Sequence, residues 1–101
     1  MENITGDILF PYFYNFTVTA NMTQIKIPNS ARRVTIGSQD HQLYLATNGA
    51  ADGESPPTHK AFIPKSNYLS INMGRGNNRN SYIYVSSAST SAEVSLILEE
   101  E

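Results

Sequence analysis

The feature that most constrains this chain is a two-residue alternation of apolar and polar side chains that stops and restarts along most of its length. Successive side chains of an extended strand point to opposite faces, so this period sorts residues into a buried set and a wet set. Ala92–Leu98 is the cleanest instance, with Ala92, Val94, Leu96 and Leu98 on one side and Glu93 and Ser95 on the other. Tyr14, Phe16, Val18 and Ala20 share a face against Asn15, Thr17 and Thr19. Ile25 aligns with Ile27 in Gln24–Ile27, and Arg32, Val34 and Ile36 oppose Arg33 and Thr35. Leu43 and Leu45 flank Tyr44, while Leu69, Ile71 and Met73 line one side of Tyr68–Met73. In Ser81–Ser86, Ile83 and Val85 oppose Tyr82 and Tyr84, so both faces carry apolar bulk. Ala61–Ile63 is short, and Pro64 restricts it to a sheet edge or a strand end because proline cannot donate to a ladder.

Turn-forming residues separate these runs at Asn21-Met22, Pro28-Asn29-Ser30, Gly37–Asp40 and Gly74–Asn80. No segment carries an amphipathic helical period of ordinary length. Short strands with such regular punctuation predict an all-β fold. The expected architecture is a single β-sandwich of about seven or eight mainly antiparallel strands, with a jelly-roll order among the arrangements open to it. Periodicity does not supply the sheet order. At 101 residues and 11.2 kDa there is room for one domain, burying roughly 65% of the unfolded chain's surface. Residues 14–98 are expected to form the sandwich, with 1–13 as an N-terminal arm or first edge segment and 99–101 as an acidic tail. Ile8, Leu9, Phe10, Tyr12 and Phe13 are too apolar to be left in water, so this segment either folds back or packs on a neighbour.

Composition narrows the function. A formal charge of −2 lacks the basic footprint of a nucleic-acid binder or a polybasic membrane anchor, so neither nucleic acid nor membrane is an expected partner. Cysteine is absent, which removes disulfides, thiolate metal sites and Cys nucleophiles. Only 16% of residues are charged while 29 are Ser, Thr or Asn, so the surface is coated largely by neutral hydroxyls and amides. Low charge protects a monomer poorly against association, which favours an assembly. Three N-x-S/T sequons, at Asn3, Asn15 and Asn21, matter only in a secretory compartment that nothing else supports.

Chemistry-bearing residues are sparse. His41 follows Asp40 in a turn and His59 lies in the long Thr47–His59 loop with Asp52 and Glu54. These show neither helical zinc spacing nor the carboxylate alternation of a calcium loop, so no metal or other cofactor is expected. No serine sits in a G-x-S-x-G elbow, and Asp7, Asp40, Asp52 and Glu54 lie outside clear strand interiors. An enzyme is therefore not expected. Gly74-Arg75-Gly76-Asn77-Asn78-Arg79 lacks the Gly-Lys-Ser/Thr of a phosphate loop and reads either as a hairpin loop or as a partner contact through Arg75 and Arg79. Arg32 must escape at a sheet rim or pair with an acid, within the chain or across an interface. Tyr44, Tyr82 and Tyr84 offer flat rings for stacking a sugar, the alternative to a core or subunit-contact role.

Ile25-Lys26-Ile27-Pro28-Asn29-Ser30-Ala31-Arg32-Arg33-Val34-Thr35-Ile36 resembles a stretch of small β-sandwich structural proteins of tailed bacteriophages. Tyr82–Ser89 and the alternating final strand are similar in character, so the resemblance covers about half the chain. It implies a capsid decoration (cement) protein or a head, neck or tail accessory protein, located in the virion and without catalytic residues. Such proteins act as symmetric oligomers on other virion components such as a major capsid protein, and the decoration class implies a trimer. The expected contact residues are Ile8, Leu9, Phe10, Tyr12, Phe13, Arg32, Arg33, Asp52, Glu54, His59, Arg75 and Arg79. The alternative is a carbohydrate- or cell-surface-binding module using Tyr44, Tyr82 and Tyr84.

Overall fold

Each alternating run becomes a strand in the computed structural model, which describes residues 2–4 and 8–100. Met1 and residues 5–7 of the expected arm, and Glu101 of the expected acidic tail, lie outside the described residues. The strands are β1 (Glu2–Asn3), β2 (Tyr12–Val18), β3 (Thr23–Lys26), β4 (Arg33–Gly37), β5 (Leu43–Ala46), β6 (Ala61–Ile63), β7 (Tyr68–Asn72), β8 (Tyr82–Ser87) and β9 (Ala92–Glu99). One sheet has the order β1-β3-β8-β5-β6 and the other β2-β9-β4-β7. All pairings are antiparallel except the two-residue parallel contact of β1 with β3.

The pairing is nested: β2 with β9, β3 with β8, β4 with β7 and β5 with β6. The chain from β2 to β9 therefore behaves as one long antiparallel ribbon, closed at the β5–β6 hairpin and rolled so that strands on either side of that hairpin alternate between sheets. That is the jelly-roll order. Inward residues from both sheets form one core. Ile25, Leu43, Ile63, Ile83 and Val85 come from the first sheet, and Phe16, Val18, Val34, Ile36, Val94, Leu96 and Leu98 from the second. The register places Phe16 opposite Val94 and Val34 opposite Leu98. A slip by one residue would turn every one of these side chains into water, so burial itself fixes the pairing.

Three boundaries differ from the sequence expectation. β2 begins at Tyr12, so Tyr12 and Phe13 belong to the sandwich, and Ala20 falls beyond the strand end and is exposed. β9 runs through Glu99, taking the first residue of the expected tail into the ladder. Gly74–Asn80 is not a hairpin loop, because β7 and β8 lie in different sheets. It is an inter-sheet crossing containing a single 3-10 turn, Gly76–Asn78, and closed by the Asn80 N–H donating to the Met73 carbonyl at 2.8 Å.

Gly37 shows how tightly the β4–β7 pair is drawn. A Cβ at this position would strike the Asn67 carbonyl oxygen and approach the Tyr68 ring to 2.8 Å. The ring can swing away, whereas the backbone oxygen cannot move without disturbing the turn before β7. Gly37→Ala is expected to lower stability by about 1–3 kcal/mol through overpacking, read as a lower urea midpoint with unchanged slope.

Candidate functional site

Two surfaces gather the residues marked in the sequence. The first is the start of the chain. Ile4 and Phe10 pack against the core, which anchors the segment, while Leu9 is 83% and Phe13 67% exposed. Tyr12 and Ile8 are half-buried. The expectation that this segment folds back is thus met by alternate residues, and the remainder face solvent. Tyr14 fastens it: its hydroxyl donates to Glu2 Oε1 at 2.5 Å across from β2 to β1. That hydrogen bond, reinforced by burial and by the carboxylate's charge, pushes the Tyr14 pKa up to about 12. On the same side, Glu99 and Glu100 emerge from β9 beside Phe10 and Pro11 and line a shallow hollow with them.

The second surface lies around the long loop between β5 and β6. This loop is not a free arm. The Met22 N–H donates to the Glu54 carbonyl and the Gly53 N–H to the Met22 carbonyl, both at 2.7 Å, while the Gln24 N–H donates to Asp52 Oδ1 at 2.8 Å. The Gln24 N–H lowers the Asp52 pKa from its ordinary value. Gly53 sits at φ +81°, a left-handed conformation that glycine adopts without a Cβ penalty. Because β8 separates β3 from β5 in the sheet, the loop crosses the outer face of β8 to reach Met22. Outward-pointing Met22, Ala46 and Ser86 are buried as a result. The loop acts as a strap that also covers the outer edge of β3, where exposed backbone groups would otherwise recruit another strand.

The tyrosines sit near this strap. Tyr44 and Phe62 pair across β5 and β6 with ring centroids 5.4 Å apart. Lys60 Nζ lies 5.2 Å from the Tyr44 ring centre and 5.7 Å from that of Phe62, and donates to the Pro57 carbonyl at 3.0 Å. Tyr82 and Tyr84 are half-buried on β8, and the Tyr84 hydroxyl accepts from Gln24 Nε2 at 2.9 Å. Phe62, 62% exposed, was not singled out in the sequence, where a three-residue strand gives too little alternation to place it. Below these rings the sandwich side between β6 and β7 is open. Leu45, Ala61, Leu69 and Ile71 line a groove of about 310 Å³ there, with exposed His59 and half-buried Lys60 at its mouth.

Of the arginines, Arg32 and Arg33 adjoin Glu99 at the margin of the first surface. Arg33 Nε lies 3.9 Å from Glu99 Oε1 with both side chains wet, a pairing worth about 0–1 kcal/mol. Arg32 is half-buried just before β4, its backbone N–H donating to the Glu99 carbonyl at 2.9 Å. Arg79 is turned inward, its Nη2 donating to the Pro28 carbonyl at 2.6 Å. Burial, with the charge of Arg32 adding to it, lowers its pKa from the ordinary value. Arg75 is exposed at the start of the crossing. Among the described residues no three His, Cys, Asp or Glu side chains are placed to hold a metal ion.

Two measurements check these fastenings. A folded-state tyrosine pKa above the ordinary value of 10.0 means that the neutral hydroxyl is favoured on folding. Its contribution is present below pH 10 and lost as pH rises through about 12. An ultraviolet tyrosinate titration of the folded protein is expected to show a late-ionising group that disappears in Tyr14→Phe. Asp52→Ala is expected to release the strap, read as faster proteolytic nicking between Asn48 and His59 with the rest of the sandwich intact.

No family model, curated protein or solved structure matches this chain.

Proposed function

We infer that this chain is a non-enzymatic virion structural protein, of the capsid decoration or head/tail accessory kind, which self-associates and stabilises a larger particle. The observation that carries the self-association is the character of β2 and the residues leading into it. From Ile8 to Ile25 the sequence contains no charged residue, and within this stretch Leu9 and Phe13 are exposed. β2 is also an outer strand of its sheet, with β9 as its only neighbour among the described residues. An outer strand without lysine, proline or a bulge along its length lacks the devices by which monomers discourage edge contacts. Burying it in a closed symmetric assembly removes the hazard and puts the apolar residues to use. The assignment to a virion rests on the resemblance at Ile25–Ile36 and Tyr82–Ser89.

The carbohydrate reading draws on the same fold, since jelly rolls serve as both capsid and lectin domains. Here the strap crosses the sheet face that carries Tyr82 and Tyr84, and Lys60 lies near the Tyr44 and Phe62 rings. The three tyrosine rings are half-buried, whereas Leu9 and Phe13 are largely uncovered. This contrast favours the assembly reading.

Light scattering behind a sizing column, over a dilution series, is the direct check. The expected mass is near three times that of the 11.2 kDa chain and holds over the micromolar range. A single-chain mass throughout that range removes the self-association and brings the carbohydrate reading forward.

A further inference from the structure

Building on that reading, we propose that the copies associate head to tail, with Leu9 and Phe13 of one copy entering the β6–β7 groove of the next. The two features lie on opposite sides of the molecule. In the order β2-β9-β4-β7 the exposed start of the chain borders β2 and the groove borders β7, three strand spacings away. At about 4.8 Å per spacing the separation is ~15 Å. The segment therefore lies at the opposite sheet edge from the groove of its own chain, and joining the two features between copies brings unlike edges together. A contact between unlike surfaces closes into a ring when its rotation divides the circle and otherwise runs on as a filament. Three is the smallest ring of this kind.

Size, polarity and charge match across the contact. The groove, at about 310 Å³, is at the lower limit of the range for ligand pockets and suits one or two apolar side chains. Its walls, Leu45, Ala61, Leu69 and Ile71, offer aliphatic surface, and Leu69 and Ile71 remain only half-buried although they point inward from β7. Those two side chains are incompletely covered because β6 spans only three residues and Pro64 ends it, which leaves the sandwich open on this side. At the mouth stands Lys60. The opposite side carries Glu99 and Glu100 next to Phe10 and Pro11. An apolar knob beside Glu99 and Glu100 thus faces an apolar groove with Lys60 at its mouth, which orients the encounter.

The test uses two variants of the full chain, alone and mixed. Leu9→Asp combined with Phe13→Asp removes the knob at positions that are already in water, and Ala61→Phe fills the groove from an edge strand. Lys60→Glu, which reverses the charge at the groove mouth and gives up the Lys60 contacts with Pro57 and the two rings without adding bulk to the groove, serves as a second groove variant should Ala61→Phe fail to fold. Either variant alone is expected to weaken self-association about tenfold or more and to run as a single chain in light scattering. An equimolar mixture is expected to form a one-to-one pair and stop there, because one knob and one groove survive between the two partners. Wild-type association is also expected to weaken as salt rises. If wild type assembles and the knob variant assembles equally well, the head-to-tail contact is overturned while self-association stands. If only the groove variants fail and the mixture does not recover, the groove receives something other than this segment, and the proposal again falls. A monomeric wild type removes both.

Discussion

Everything in this molecule depends on β8 and β9, inner strands of the two sheets that are each paired on both sides. β9 is held between β2 and β4, and β8 between β3 and β5. Their inward residues, Ile83 and Val85 from one sheet and Val94, Leu96 and Leu98 from the other, occupy the middle of the core at no more than 1% exposure. Because these strands lie near the end of the chain, the ribbon cannot close until most of it has been made. The fold is consequently dominated by pairings between residues far apart in sequence, such as Tyr12 with Leu98. Such topologies pay loop-closure entropy before the hydrophobic return arrives. A chain of this kind depends on correct register more than on local propensity, and the strict alternation in β9 supplies that register.

How much of this was readable follows from where each signal is stored. The eight longer strands, their inward residues and the edge position of β6 were legible, because burial on one face writes itself into a two-residue period. Sheet order was not, since alternation records which face a residue takes and nothing about which strand lies beside it. Gly74–Asn80 illustrates the loss: glycine and asparagine mark a change of direction, but the same residues serve a hairpin and an inter-sheet crossing. The strap was not legible for a related reason. Thr47–His59 looks like a free loop in composition, yet its fastening comes from backbone groups of Met22 and Glu54 that every residue possesses. For Arg79 the loop composition offers a partner contact and nothing in it points to a carbonyl within the chain. Its guanidinium instead satisfies the Pro28 carbonyl, a role that depends on two loops meeting from different ends of the ribbon.

The exposed edges are managed unequally, and the inequality carries meaning. Around β3, the strap and β1 cover the outer edge with hydrogen bonds from Gly53, Asp52 and the β1 backbone. At β6 the strand is only three residues long and is stopped by Pro64, a common device for blunting an edge. β2 is seven residues long, uncharged, and approached by exposed apolar side chains. Among the described residues no strand pairs with that outer edge, whereas a fourteen-residue connection, Thr47–Lys60, is spent on the edge of β3. The bare edge lies where the chain also concentrates its largest exposed apolar residues.

Charge completes the argument. A surface built from serine, threonine and asparagine hydrates well without creating strong long-range repulsion between copies. For a free monomer that is a weakness, since net charge is what keeps soluble domains apart. For a protein packed beside copies of itself, high like charge would oppose assembly at every contact. The low charge, the bare β2 edge and the open β6–β7 side are therefore consistent with a single requirement: neighbours must approach closely. At the two ends of the proposed contact the chain sets charges of opposite sign, with Glu99 and Glu100 on one side and Lys60 on the other. Placed there, they bring unlike surfaces together and disfavour the like-to-like encounters that an uncharged coat would otherwise permit.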